Sequence, residues 1–323
     1  MAKKSNKATA LPGGQEALTD EEHAKLITWV NESDDATQFS RALSEKCRSY
    51  YDSEQWTDAE KVKLNAQKQA ATVINRCKPK VDALMGMERA NRTTAKAQPR
   101  TPKETQGATA VTEAVRFCLQ DNMYERQRSD AWENMLIEGT GGVEIIVKSK
   151  GDAYKVLIRH IMWDRLIWDP HSRRKDFSDA RYLGQVVWMD FDEATALYPN
   201  AEDVLEAMQA GSQTYDDKPR WMDNTRRRVK IVELYYRDGR DWKACKLTRG
   251  GFVEEPIVSP YVNEEGETEH AYEFASSFVD REGARYGAMK QLLDIQDEIN
   301  KRRSKALHLM SVRQIRLERG AVE

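Results

Sequence analysis

The sequence predicts an α+β chain in which helices and antiparallel strands are segregated rather than alternating. Three observations predict it. Apolar residues recur at helical spacing up to about residue 138, β-rich runs bounded by turn residues follow between about 143 and 279, and a long helical pattern closes the chain from about 287. At 323 residues the length suits about two domains. Only 40% of the residues are hydrophobic against 32% charged, and that wet balance points to elongated helices, an extended surface or a large assembly.

Residues 1–17 are small, polar and basic, with Pro12-Gly13-Gly14, and read as a disordered arm. Thr19 followed by Glu22 has the form of a capping box, and Ala24, Ile27 and Val30 follow it as a short first helix. A second helix, from about Thr37 to Tyr51, places Phe39, Leu43 and Cys47 on one stripe. Thr57 and Glu60 repeat the capping box before a third. Pro79 sits in the first turn of a fourth helix, which runs to about Arg92. Residues 91–106 read as a loop, and two helices follow at about 106–122 and 127–138.

Val143–Val147 and Tyr154–Ile161 form a hairpin about Lys150-Gly151-Asp152, and Tyr182–Met189 is a third strand. Two short helices, 190–197 and 201–210, are split by Pro199-Asn200. Lys230–Arg237 and Trp242–Leu247 form a second hairpin about Asp238-Gly239-Arg240-Asp241. A loop-rich region with Pro256, Pro260 and Gly266 leads to a strand at Ala271–Val279, and the terminal helix spans about Gly287 to Met310.

Most chemistries find no support. Cys47, Cys77, Cys118 and Cys245 lie far apart without a C-x-x-C pair, so they read as isolated thiols in a reducing compartment. No apolar run approaches the roughly 18 residues of a membrane span, and the basic Met1–Lys7 stretch lacks the apolar core of a signal peptide. The net charge of −2 names no partner. Gly139-Thr140-Gly141-Gly142 follows a helix and precedes a strand, the reverse of a phosphate loop, and reads as a helix C-cap. His160, Asp164, Asp169, His171, Asp176 and Asp179 could supply ligands to a metal-dependent nuclease, since hard cations want clustered carboxylates, but their spacing puts no two on one helix face. A structural loop is the plainer reading of that stretch. No catalytic residue, cofactor site or metal site is assigned.

The terminal helix is the most informative segment. Leu292, Ile295, Ile299, Ala306 and Met310 form an apolar stripe, with Asp294, Asp297 and Glu298 early and Lys301, Arg302, Arg303, Lys305, Arg313, Arg316 and Arg319 late. Acid early and base late suits the helix dipole. One reading is a solvated amphipathic helix with a basic tail. The other is a helix packed against its copy in a neighbouring subunit, its basic end facing an acidic partner or nucleic-acid phosphate.

Several segments, in one order from about residue 45 onward, resemble the portal proteins of short-tailed double-stranded DNA phages. They are Tyr50-Tyr51-Asp52-Ser53-Glu54-Gln55-Trp56, the run Ile74–Leu84, the loop Trp168-Asp169-Pro170-His171-Ser172, Tyr182–Asp190 and, most closely, Gln296–Leu309. The resemblance implies a phage portal fold assembled as a ring, dodecameric in that family, at one capsid vertex. It divides the chain into a helical and β-stranded wing at 18–286, a first stem helix at 287–312 and the start of a clip at 313–323. The rest of the clip, a returning stem helix, a tunnel loop and a crown are expected beyond Glu323, so the sequence reads as part of a longer polypeptide.

The implied protein is a structural head-to-tail connector and not an enzyme. It would be the conduit for double-stranded DNA in packaging and ejection and the docking platform for motor and tail. Its implied partners are its own copies, DNA, the major capsid protein, scaffolding protein, the terminase packaging motor and a head-to-tail adaptor, with no membrane and no cofactor. Its place is the virion, after assembly in host cytoplasm. Lys301, Arg302, Arg303, Lys305 and Arg313 are the expected channel or inter-subunit residues. The alternative is a metal-dependent nuclease or DNA-processing enzyme using the Asp164–Asp179 region. A plain DNA-binding protein with a basic helical tail is a third.

Overall fold

A computed structural model of the chain describes residues 13–150, 153–211, 221–223, 225–263 and 265–311. Its first helix, α1 (Gly13–Tyr51), is a single rod of 39 residues where the sequence suggests an arm and two helices. Residues 13–17 therefore belong to the helix, and residues 1–12 lie outside the described residues. The expected break at 31–36 contains neither Gly nor Pro, and the polar residues there are used internally. Ser33 and Thr37 are buried, and the Thr37 hydroxyl donates to the Ser33 carbonyl at 2.6 Å. Thr19 and Glu22 consequently lie inside the helix and not at its start. Phe39, expected on the buried stripe, is 78% exposed, whereas Cys47 is buried.

Next come α2 (Asp58–Ala66), α3 (Cys77–Ala90), α4 (Thr105–Asp121) and α5 (Tyr124–Ile137). The Thr57–Glu60 capping box is formed in both directions. Strands β1 (Thr140–Lys150) and β2 (Ala153–Ile161) make the first expected hairpin, whose Gly151 and Asp152 lie outside the described residues. After β3 (Leu166–Trp168) and β4 (Tyr182–Asp190) come α6 (Phe191–Leu197) and α7 (Glu202–Gly211), split at Pro199 as expected. Then follow β5 (Met222–Asp223), β6 (Arg228–Asp238), β7 (Asp241–Thr248) and β8 (Gly251–Val258). Two-residue strands β9 (Tyr261–Val262) and β10 (Thr268–Glu269) pair with each other. The expected strand 271–279 is split into β11 (Tyr272–Ser276) and β12 (Phe278–Val279), the latter paired with β13 (Arg285–Tyr286). The terminal helix begins as a 3₁₀ turn, Ala288–Leu292, and continues as α8 (Leu293–Ser311).

The chain forms two compact units, residues 1–38 with 164–272 and residues 39–163 with 273–323. The span 18–286, expected as one wing, is thus distributed over both.

The first unit is an antiparallel sheet of order β3-β4-β6-β7-β8, with β5 also on β6. Val186 pairs with Val232, and Leu234 with Cys245. Leu26 and Val30 of α1, Phe191 and Ala194 of α6, and Leu205 of α7 cover Ile167, Tyr182, Val229 and Ile231 in one core. Trp29 stacks on Tyr182 at 5.2 Å, and the Tyr182 hydroxyl donates to the Trp29 carbonyl at 2.9 Å. β8 lies in the region that Pro256, Pro260 and Gly266 mark as loop-rich in the sequence. It is an edge strand, where a proline costs no ladder bond.

The second unit packs the end of α1, α3, α5 and the start of the terminal helix around Cys47, Tyr50, Val81, Met85, Leu136, Ile137, Met289 and Leu293. β11, β1 and β2 form its sheet, with Ile145 opposite Ile158. The β2 edge is closed by side chains. Asn122 donates to the Val156 carbonyl at 3.0 Å and accepts from the Ile158 amide at 2.9 Å, and Gln127 accepts from the His160 amide at 2.8 Å. Such caps remove a template for stray strand pairing.

The glycine cluster lies at the α5–β1 junction, as a helix end entering a sheet. Gly139 has φ +103°, and a Cβ there would stand 2.3 Å from the Tyr286 carbonyl carbon. Beside it Glu138 is buried. Arg48 Nε donates to Glu138 Oε1 at 2.6 Å, and Arg48 Nη1 to Glu133 Oε1 at 2.7 Å.

Candidate functional site

The terminal helix starts from a fixed base. Gly287 passes so close to α5 that a Cβ would stand 2.5 Å from the Leu136 carbonyl oxygen. Met289 and Leu293 then enter the apolar core of the second unit. Beyond Leu293 the buried face changes character: Gln296, Asn300 and Ser304 are its buried residues, all polar. They face residues 68–76, which run as a strap between α2 and α3 with no regular secondary structure.

The contacts are side chain to backbone. Gln296 accepts from the Arg76 amide at 2.9 Å and donates to the Ile74 carbonyl at 2.8 Å. Asn300 accepts from the Ile74 amide at 3.0 Å and donates to Gln55 Oε1 at 2.6 Å. The Ser304 hydroxyl donates to the Ala70 carbonyl, and His308 Nδ1 lies 3.2 Å from the Lys68 carbonyl. The spacing has a geometric cause. Four helical residues rise about 6 Å, close to the roughly 6.6 Å of two extended residues, so side chains one turn apart can follow an extended backbone. At the middle the strap shortens itself, the Thr72 amide donating to the Ala70 carbonyl at 2.9 Å. The Thr72 carbonyl accepts from Trp56 Nε1 at 3.1 Å. Tyr50 donates its hydroxyl hydrogen to Asp297, and burial, with that bond, raises the Tyr50 pKa above its ordinary value.

The apolar stripe seen in the sequence is therefore not the face that α8 buries in its own chain. Ile295 and Met310 are 57% and 68% exposed, Ile299 and Ala306 half-buried, and Leu292 alone of the five leans on the core. The sequence signal for the true inner face was the four-residue step Gln296, Asn300, Ser304, His308, which a search for apolar periodicity passes over. Of the basic residues, Lys301 pairs with Asp297 at 3.6 Å and Arg302 with Glu298, both one turn back on the helix. Arg303 and Lys305 are exposed and make no ion pair among the described residues. Arg313, and the clip expected at 313–323, lie outside the described residues.

Asp169, Asp176 and Asp179 are engaged in holding their own loop. Asp169 accepts from the His171 amide at 2.9 Å and the Arg181 amide at 3.1 Å. Asp179 accepts from the Ser172 hydroxyl at 2.6 Å and the Arg173 amide at 2.7 Å. Burial opposes ionisation of Asp179, but the Ser172 hydroxyl and the Arg173 and Arg174 amides outweigh it and hold its pKa below the ordinary value. Asp176 is held low by the amide and hydroxyl of Ser178. His160, on β2, meets Asn134 at 2.8 Å, and burial lowers its pKa. Among the described residues no three His, Cys, Asp or Glu side chains are grouped to hold a metal ion. The nuclease reading thereby loses the constellation it needs.

What α8 leaves outward is Ile295, Leu309 and Met310 beside Arg303 and Lys305, on a helix held at its base by Met289 and Leu293 and along its length by its polar face. No curated protein matches the chain. The family model of the phage P22-like portal protein matches it over residues 27–240 and 237–323.

Proposed function

Because the chain belongs to the phage P22-like portal protein family, we propose that it is the repeating subunit of a ring at one capsid vertex, through which double-stranded DNA enters in packaging and leaves in ejection. The family is one of phage structural proteins, and in this reading the ring is the head-to-tail connector, dodecameric as the resemblance implies. α8 is its first stem helix. The observation that carries the reading, beside the family itself, is the orientation of α8: it turns a polar face to its own chain and leaves Ile295, Leu309 and Met310 exposed. A closed ring needs a heterologous interface, one patch of each copy meeting a different patch of the next. An apolar stripe with acid at one end and base at the other can supply one side of it and set its register.

Arg303 and Lys305, with Lys301, Arg302 and Arg313, are the channel or inter-subunit residues of this proposal. Repeated by symmetry, each cation becomes a ring of like charges. A conduit must balance that attraction, because phosphates held tightly would not slide. The glycine cluster has the order helix, glycines, strand, and is packed closely by neighbouring backbone and by the Met135 and Phe274 side chains; in this reading the energy for translocation comes from a separate packaging ATPase, the terminase motor. The capsid protein, scaffolding protein and tail adaptor complete the proposed partners, and the virion vertex is the proposed location. No helix among the described residues is long and apolar enough to cross a membrane.

The test is the triple variant Arg302→Gln, Arg303→Gln, Lys305→Gln. An exposed charge pair contributes at most about 1 kcal/mol, but the loss recurs at every interface of a ring. Fewer assembled rings or fewer DNA-filled particles are expected, with the deficit changing as salt is raised. Yields of both equal to wild type would overturn the assignment of these residues.

A further inference from the structure

The joint between α8 and the strap is built differently from the rest of its unit. No residue from 68 to 76 is fully buried, and on α8 the buried residues beyond Leu293 are Gln296, Asn300 and Ser304. Neither segment contributes a fully buried apolar side chain to the contact, and the buried Tyr50 and Trp56 meet it through the Tyr50–Asp297 and Trp56–Thr72 hydrogen bonds. Between the two segments the contact rests on hydrogen bonds that water can replace nearly one for one, so parting them exposes less apolar surface than parting a packed core.

Both ends of the strap are separately fixed. Asn75 donates to the Tyr50 and Tyr51 carbonyls at 2.9 and 3.0 Å, and its Oδ1 accepts from the Cys77 and Lys78 amides at the start of α3. At the other end Lys68 has φ +55°, a left-handed turn off α2, and the Gln69 amide donates to the Leu64 carbonyl at 2.8 Å. The helix is likewise fixed at its base by Met289 and Leu293 in the apolar core.

We propose that α8 beyond Leu293 and residues 68–76 form a polar clasp, a conformational device that opens and closes as one cooperative unit while the core around Val81, Leu136 and Ile137 stays folded. Local opening of this kind belongs to segments with few buried apolar contacts. Its hydrogen bonds occur in a chain, Gln296 Nε2 also donating to Asn300 Oδ1 at 3.1 Å, so loss of one rung loosens the others. The clasp is independent of the ring reading and holds whether or not copies assemble.

Hydrogen exchange on the 323-residue chain tests it, with Ser304→Ala as the variant. Alanine favours the helix, so α8 itself is not weakened, and Ser304 does not touch the Ile74 or Arg76 amides. Opening as a unit predicts that both amides nevertheless exchange faster by one common factor, about three- to tenfold for one lost hydrogen bond, while the Leu136 and Ile137 amides keep their wild-type rates. Asn300→Ala should give the same pattern more strongly. Unchanged exchange at Ile74 and Arg76 in Ser304→Ala would overturn the clasp. So would equal acceleration at Leu136 and Ile137, which would make the joint part of the global fold.

Discussion

Arg48→Met should destabilise the protein by about 3–5 kcal/mol, because it strands a buried carboxylate. The Glu138 side chain is 0% exposed, its Oε1 accepts from Arg48 at 2.6 Å, and its Oε2 has no hydrogen-bond partner among the described residues. Burial pushes the Glu138 carboxyl up to about 7, against the pull of Arg48. Burial also opposes the charge on Arg48, but its bonds to Glu138 and Glu133 outweigh that and raise its pKa above the ordinary value. Glu138 thus binds its proton more tightly in the folded chain than in the unfolded one, whose reference value is 4.5. The stability it contributes is complete below about pH 4.5 and is lost as pH rises through about 7. Removing Arg48 lifts the folded pKa further and carries the loss to higher pH. Urea melts at pH 5 and pH 8 should show the smaller deficit at pH 5. A deficit equal at the two values would mean that Glu138 does not titrate with folding. Arg48→Met with Glu138→Leu should recover most of the loss, since the stranded charge is gone.

Gly139→Ala should cost a similar amount, about 3–5 kcal/mol, from backbone strain added to overpacking. Its φ of +103° disfavours any side chain, and the new Cβ would meet the Tyr286 Cα at 2.5 Å and the Gly287 nitrogen at 2.6 Å. These are backbone atoms at the root of the terminal helix and cannot swing aside. The comparison is Gly86→Ala on α3, where a Cβ meets nothing within 4 Å. There alanine should stabilise by up to about 1 kcal/mol through helix propensity. The same chemical change thus has opposite signs at two sites, read by thermal or chemical melts of the two variants. Destabilisation of both, or neutrality of Gly139→Ala, would contradict the packing described at the α5–β1 junction.

Much of the architecture was legible because local signals and tertiary structure agree. Thr57 and Glu60 cap α2, Gly139 ends α5, Asp238–Asp241 turns a hairpin and Pro199 splits α6 from α7. Legibility failed where tertiary contacts give polar or exposed residues another use. α1 runs through 31–36 because Ser33 donates to the Trp168 carbonyl at 2.8 Å and Lys230 pairs with Asp34 at 2.9 Å, contacts from residues more than a hundred positions away. β8 is masked in the sequence by Pro256, which is harmless on an edge strand. On α8 the apolar stripe is legible as periodic, facing either solvent or a neighbouring copy, whereas the polar stripe that holds the chain's own backbone gives no such signal. Apolar periodicity reports a buried face only when that face is buried by apolar neighbours. The basic residues were visible from the start. Among the described residues Arg303 and Lys305 make no ion pair, whereas acids one turn back neutralise Lys301 and Arg302.

The ring is the central claim, and native mass spectrometry of the purified protein tests it most directly. The account predicts a closed assembly of about a dozen copies of the 37.2 kDa chain. A species that remains monomeric or dimeric across concentration and salt would contradict it.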